Sequence, residues 1–157
     1  MRPLLLLGLI GLAWIGWQRP DVRAAIGLPL PPAEVVDQRF APCDAPGYAA
    51  ACAVDGDTFR LGQRRIRIAQ IDAPEVDGQC PAERMAARAA TLALAAWLDA
   101  GPFQLEPAAT VPHDQYGREL QQPWRERAGG GRDDLADHLI QLGHARDFAG
   151  GGREGWC

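Results

Sequence analysis

Ala51-Cys52-Ala53-Val54-Asp55-Gly56-Asp57-Thr58-Phe59-Arg60-Leu61, followed within a few residues by Arg65-Ile66-Arg67-Ile68-Ala69-Gln70-Ile71-Asp72-Ala73-Pro74-Glu75, is the stretch from which the fold can be read. Two short runs, 49–54 and 57–61, flank Asp55-Gly56, a dipeptide that favours a tight hairpin turn. Residues 65–68 then alternate Arg and Ile. In a strand, alternate side chains point to opposite faces, so Ile66 and Ile68 share one face while Arg65 and Arg67 share the other. Pro74 cannot donate to a sheet ladder and ends this strand region. The segment therefore reads as a hairpin followed by a third, half-buried strand.

Further along the chain, a helix is expected from Pro81, which suits a first helical turn. Met85, Ala89, Leu92 and Ala96 recur at helical spacing and form its expected apolar stripe, and Gly101-Pro102 stops it. Phe103 to Leu105 reads as a short strand and another surrounds Gly117 to Leu120. Pro123 and Gly129-Gly130-Gly131 break up the segment between that strand and the next helix. A second helix is expected from Asp133-Asp134, since acidic residues suit a helix N-terminus. Its stripe is Leu135, Leu139 and Leu142, and Gly143 is its end. Strands, a helix, more strands and a helix make an α+β domain, and five strands in a small closed barrel suit the count.

In the other direction the chain changes character. Residues 18–42 carry Pro20, Pro29, Pro31, Pro32 and Pro42 with little periodicity, and read as a linker, with the folded part starting near Cys43. Ahead of it, Pro3 to Trp17 is apolar, short of the roughly 20 residues of a membrane span. It fits the hydrophobic region of a signal peptide, with a loose small-residue cleavage site at Val22 and Ala24, or alternatively a retained anchor. The expected organisation is 1–24 signal peptide or anchor, 25–42 Pro-rich linker and 43–157 folded domain. Both readings of the leader place the domain outside the cytoplasm: periplasmic, secreted, or held at a membrane only if the leader is retained.

Cys43, Cys52, Cys80 and Cys157 are even in number, as disulfides in an exported chain require. Four cysteines allow three pairings. The expected one joins Cys80, just ahead of the long helix, to Cys157, since a terminal Cys on a loose tail would serve nothing; Cys43–Cys52 is then the local bridge. No CxxC occurs and the three His lie far from Cys at ligand spacing, which argues against zinc.

All 16 basic residues are Arg, yet the formal net charge is -4. A protein that grips nucleic acid by overall charge is thereby disfavoured, and any phosphate chemistry must come from a local site. Three clusters qualify: Val54-Asp55-Gly56-Asp57-Thr58, the run Arg67 to Glu75, and Asp114-Gln115-Tyr116-Gly117-Arg118. Asp57 and Asp72 offer hard oxygen ligands suited to Ca²⁺ or Mg²⁺. Glu75, three residues after one ligand, is a candidate general base. Arg67 and Arg118 carry bidentate donors that match phosphate. Taken singly, each has a bland explanation: Asp-Gly-Asp as a turn, Asp72 as a strand-end cap, Glu75 as a solvated carboxylate, Arg67 as an exposed strand residue.

Taken together and in order, DGDT, RIRIAQIDAPE and DQYGR resemble the thermonuclease (staphylococcal nuclease-like) family over roughly Cys52 to Gly143. The resemblance implies a five-stranded OB-fold β-barrel with two or three helices, acting as a calcium-dependent nuclease on DNA, RNA or both. It implies Ca²⁺ held by Asp57, Asp72 and the backbone carbonyl of Ala73, with Asp55 behind these ligands. Glu75 would orient or deprotonate the attacking water, Arg67 and Arg118 would grip the phosphate and its transition state, and Tyr116 would lie near the nucleotide. The cut would leave a 3′-phosphate and a 5′-hydroxyl. Ala73 replaces a threonine found in some members, Gln115 a basic residue, and Gln70 a residue that is often small. The alternative is a catalytically silent OB module that binds nucleic acid or protein. A monomer is expected.

Overall fold

The computed structural model describes residues 32–47, 50–108, 112–150, 152 and 154–157; the expected signal segment lies outside the described residues. No helix among the described residues is long and apolar enough to cross a membrane. Among the described residues the chain is α+β: a curled mixed sheet packed with two helices.

Strands β3 (Ala51–Ala53) and β4 (Thr58–Leu61) form the hairpin expected around Asp55-Gly56, with Ala53 opposite Phe59. Strand β5 (Arg64–Ile68) pairs next, with Thr58 opposite Arg67. Ile66 and Ile68 are buried as their alternation predicts, but Arg67 is buried as well. Beyond β5 lie β8 (Glu119–Glu126), which runs parallel to it, and β7 (Phe103–Pro107), antiparallel to β8. Strand β1 (Glu34–Val36) extends the β7 edge, β2 (Ala41–Pro42) runs parallel to β3 on the other edge, and β9 (Arg132–Asp134) pairs with the far end of β8. A separate two-stranded sheet joins β6 (Ile71–Asp72) to β10 (Arg146–Asp147).

The expected count of five strands is corrected: among the described residues the main sheet has eight. The additional strands are two or three residues long and lie in a Pro-rich stretch or after a glycine turn, where no alternation can be seen. Residues 34–42, expected as linker, supply β1 and β2, and Val36 and Phe40 from the same stretch sit in the core. Strand β8 runs straight through Pro123. Its pairing with β5 ends at Gln121 and that with β9 begins at Trp124, so Pro123 falls in the gap between these two partners, where its missing N–H leaves neither ladder broken.

Helix α1 (Pro81–Asp99) opens with Cys80 as N-cap and Pro81 in its first turn, and ends at Ala100 ahead of Gly101 at φ 141°. Its buried stripe is Ala87, Ala90, Leu94, Ala95 and Leu98, not the expected Met85, Ala89, Leu92 and Ala96, all of which are exposed. An Ala- and Leu-rich helix offers several apolar stripes at the same spacing, and the bulk of Leu94, Trp97 and Leu98 selects one. These side chains close the core with Phe40, Phe59 and Phe103, whose rings meet at 5.8–6.3 Å between centroids. Helix α2 (Leu135–Gln141) buries Leu135 and Leu139 as expected; Leu142 is exposed, because the helix stops one residue before it.

Two disulfides, Cys43–Cys52 and Cys80–Cys157, tie the chain, in the expected pairing. They are compatible with an oxidising location.

Candidate functional site

The β3–β4 turn sets the first part of the site. Asp55 Oδ1 accepts a hydrogen bond from the Asp57 amide at 3.0 Å, closing the turn on its own side chain. Gly56 is required there by close approach: a Cβ would lie 2.7 Å from Ala90 Cβ in α1 and 2.8 Å from Ala73 Cβ. The turn is thus clamped between the helix and the segment after β6. Asp57 emerges at the start of β4 and is buried, 6% exposed.

Arg67, buried to the same degree, reaches Asp57 from the neighbouring strand. Its Nη1 lies 2.7 Å from Asp57 Oδ2, and its Nη2 donates to the Ile71 carbonyl at 3.1 Å. One guanidinium therefore spans the ground between Asp57 and the β6 strand that carries Asp72. The Thr58 hydroxyl donates to Asp57 Oδ1 at 2.8 Å. Even so, burial pushes the Asp57 carboxyl up to about 6, Arg67 opposing and Asp55 adding to the rise. The local positive charge does not fully offset the burial of this carboxylate.

The third cluster folds around Asp114. Its Oδ1 accepts from the amides of Tyr116 and Arg118, both at 2.9 Å, and its Oδ2 pairs with Arg118 Nε at 2.6 Å. Gly117, at φ 74°, allows the loop to turn back. Burial raises the Asp114 carboxyl, but the hydrogen bonds from Arg118 and Tyr116 outweigh it and hold the group below its ordinary value. Arg118, its Nε held by Asp114, extends Nη1 to the Thr58 hydroxyl at 3.3 Å, so the third cluster touches the first. Tyr116 is largely exposed, with the Arg118 guanidinium 5.5 Å from its ring centroid.

These residues surround two adjoining clefts. The larger, about 830 Å³, is lined by Arg67, Glu75, Tyr116 and Arg118 together with Arg65 and Phe148. The smaller, about 200 Å³, is lined by Asp72, Ala73 and Glu75 and by Trp156 of the C-terminal tail. Glu75 is exposed and common to both. Asp57 lies beneath, joined to the larger cleft through Arg67 and through Thr58 to Arg118. Asp55 belongs to the turn and supports Asp57.

The oxygen donors that could hold a cation are Asp57, Asp72 and the Ala73 carbonyl, a hard set suited to Ca²⁺ or Mg²⁺. The burial of Asp57, incompletely balanced by Arg67, also favours a cation there. Cys80, Glu83 and Cys157 bring ligand atoms within 4.8 Å of one another, but both sulfurs are joined in the disulfide and are not thiolate ligands.

Four participants had no role assigned from the sequence, although Asp114, Thr58 and Arg65 lie in or beside the clusters it singled out. Asp114 organises the Arg118 loop, and its signal was the Asp-x-x-Gly pattern of a side-chain-capped turn. Thr58 links the clusters. Arg65 reaches the cleft from the outward face of β5. Phe148 carries no pattern of its own and arrives only through tertiary structure. No protein-family model matches the chain, and no curated protein matches it.

Proposed function

We propose that this chain is a calcium-dependent nuclease of thermonuclease type, built on an OB-like barrel. We read β3, β4, β5, β8 and β7, contiguous in the sheet and holding the parallel β5/β8 pair, as the barrel strands, with β1, β2 and β9 as edge additions. The observation that carries the functional reading is convergence. Three clusters, the third well separated in sequence from the other two, are joined beside the clefts by the Asp57–Arg67 pair at 2.7 Å and the Thr58–Arg118 contact at 3.3 Å.

Ca²⁺ held by Asp57, Asp72 and the Ala73 carbonyl would supply a Lewis acid for the phosphate and its attacking water. Glu75 accepts a proton from that water, or orients it. Arg67 and Arg118 present N–H donors where charge grows on the equatorial phosphate oxygens. Arg118 is preorganised by Asp114, so little rearrangement is needed as that charge develops. Tyr116 offers an exposed ring for a base to stack on. The products are a 3′-phosphate and a 5′-hydroxyl, from DNA, RNA or both. The two disulfides fit export to the periplasm or beyond, directed by residues 1–24.

The test is cleavage of DNA and RNA by the purified domain in millimolar Ca²⁺ and in chelator. Arg118→Ala should lower kcat by about 10²–10³-fold, with the fold retained. Asp57→Ala should instead weaken Ca²⁺ binding, so that cleavage needs more Ca²⁺. Oligonucleotide binding by the wild type without any cleavage would replace this reading with a binding module.

A further inference from the structure

The C-terminal tail is tied to the candidate metal site at several independent points. The Cys80–Cys157 disulfide fixes its last residue beside the N-terminus of α1. Next to it, Trp156 Nε1 donates a hydrogen bond to Asp72 Oδ2 at 3.1 Å. Arg146, which faces Asp72 in the β6/β10 pair, places its guanidinium 3.5 Å from the Trp156 ring centroid. The same guanidinium donates to the Gly155 carbonyl at 3.0 Å and lies 3.5 Å from Glu154. Together with Asp72, Ala73 and Glu75, residues 154–157 wall the smaller cleft.

A carboxylate that binds a cation must hold the plane of its two oxygens against rotation. A donor fixed on one oxygen does this and leaves the remaining lone pairs aimed elsewhere; such partners of metal-ligating groups tune affinity strongly. Trp156 is well suited. Its ring is immobilised by Arg146 on one face, and its backbone by the adjacent disulfide. The indole is also an uncharged donor, so it orients Asp72 without repelling an incoming cation.

We propose that Trp156 is a positioning residue for the Asp72 carboxylate, and that the Cys80–Cys157 disulfide sets Ca²⁺ affinity by holding Trp156 in place. This rests on the calcium reading of the site, in which Asp72 is a ligand. A tail that only stabilised the fold would leave the site's affinity unchanged.

The two roles separate in Trp156→Phe, which keeps an aromatic ring for Arg146 and leaves the disulfide intact but removes the N–H. Calorimetric titration of the full chain with CaCl₂ alone reads metal affinity without substrate, and cleavage at saturating Ca²⁺ reads the rate. We expect the Ca²⁺ Kd to rise about 10-fold in Trp156→Phe, and at least as far in Cys157→Ala, with the loss falling on affinity much more than on the saturated rate. A Trp156→Phe Kd equal to or below that of wild type overturns the proposal, even where Cys157→Ala loses affinity. Should Cys157→Ala fail to fold, Trp156→Phe still decides. A wild-type chain that gives no Ca²⁺ binding sinks the calcium reading together with the proposal; wild-type binding with an unchanged Trp156→Phe sinks the proposal alone.

Discussion

Gly56 shows how a single position can be demanded by its neighbours rather than by its own torsion angles. Its hydrogen sits where any side chain would strike Ala90 and Ala73. Gly56→Ala should destabilise the domain by about 1–3 kcal/mol, as overpacking of a close contact does, measured by denaturant unfolding. Because the clash is with Ala73, a ligand in the proposed calcium site, the same substitution should on that reading weaken Ca²⁺ binding. Equal stability and equal Ca²⁺ affinity in the variant would show that the turn moves aside freely. At this scale the sequence was informative for Asp55 and Asp57, whose turn chemistry is local. It was uninformative for the burial of Arg67: alternation assigned it to the solvent face, and only the approach of Asp57 from β4 draws it in. Gln70 stood out as unusual, and it occupies the left-handed region at φ 67°, where a small residue is less strained.

The helices show where periodicity misleads. In α1 the spacing of apolar residues is satisfied by two stripes, and the stripe containing Met85 and Leu92 faces solvent. Leu94→Ala should therefore cost about 2–5 kcal/mol, as truncation of a fully buried leucine does. Leu92→Ala, close by on the outer face, should stay within about 0.5 kcal/mol of wild type. Comparable losses from both, in thermal or chemical unfolding, would mean the helix is rotated from the orientation described. Among the strands, β3 to β5 were legible because turn, alternation and terminator agree within one short stretch from Ala51 to Pro74. Strands β1, β2 and β9 were not. Each is too short to alternate, and each exists only as a partner to a longer neighbour.

For the molecule as a whole, acid and neutral pH pull stability in opposite directions. Burial raises Glu119, but the hydrogen bonds from Arg64 outweigh it and hold the carboxyl below its ordinary value; Asp114 is raised by burial too, and lowered further by Arg118 and Tyr116. A depressed carboxyl stabilises above its unfolded value of about 4, and that contribution is lost as the pH falls through the folded value. Asp57 has the opposite sign. With its folded value pushed up from 3.8 to about 6, its contribution is complete below 3.8 and lost as the pH rises through about 6. Melting temperature in chelator should therefore fall in acid and also decline between about pH 4 and 6, and on the proposed calcium reading, in which Ca²⁺ binds the ionised carboxylate, adding Ca²⁺ should remove the second decline. Melts across acid and neutral pH with and without Ca²⁺ check this; a curve that rises steadily to neutrality in chelator would contradict the raised Asp57.

The Cys80–Cys157 bond also changes what it means to cut this chain. Residues 80 to 157 form a closed loop, and the exposed Gly129-Gly130-Gly131 turn lies within it. Small, exposed loop tips are favoured sites of proteolytic nicking. A nick there opens the loop but releases no fragment: the piece carrying β9, α2 and the tail stays covalently attached beside α1, within reach of its own docking surface. In an environment containing proteases, the two halves can re-engage without having to find each other by diffusion.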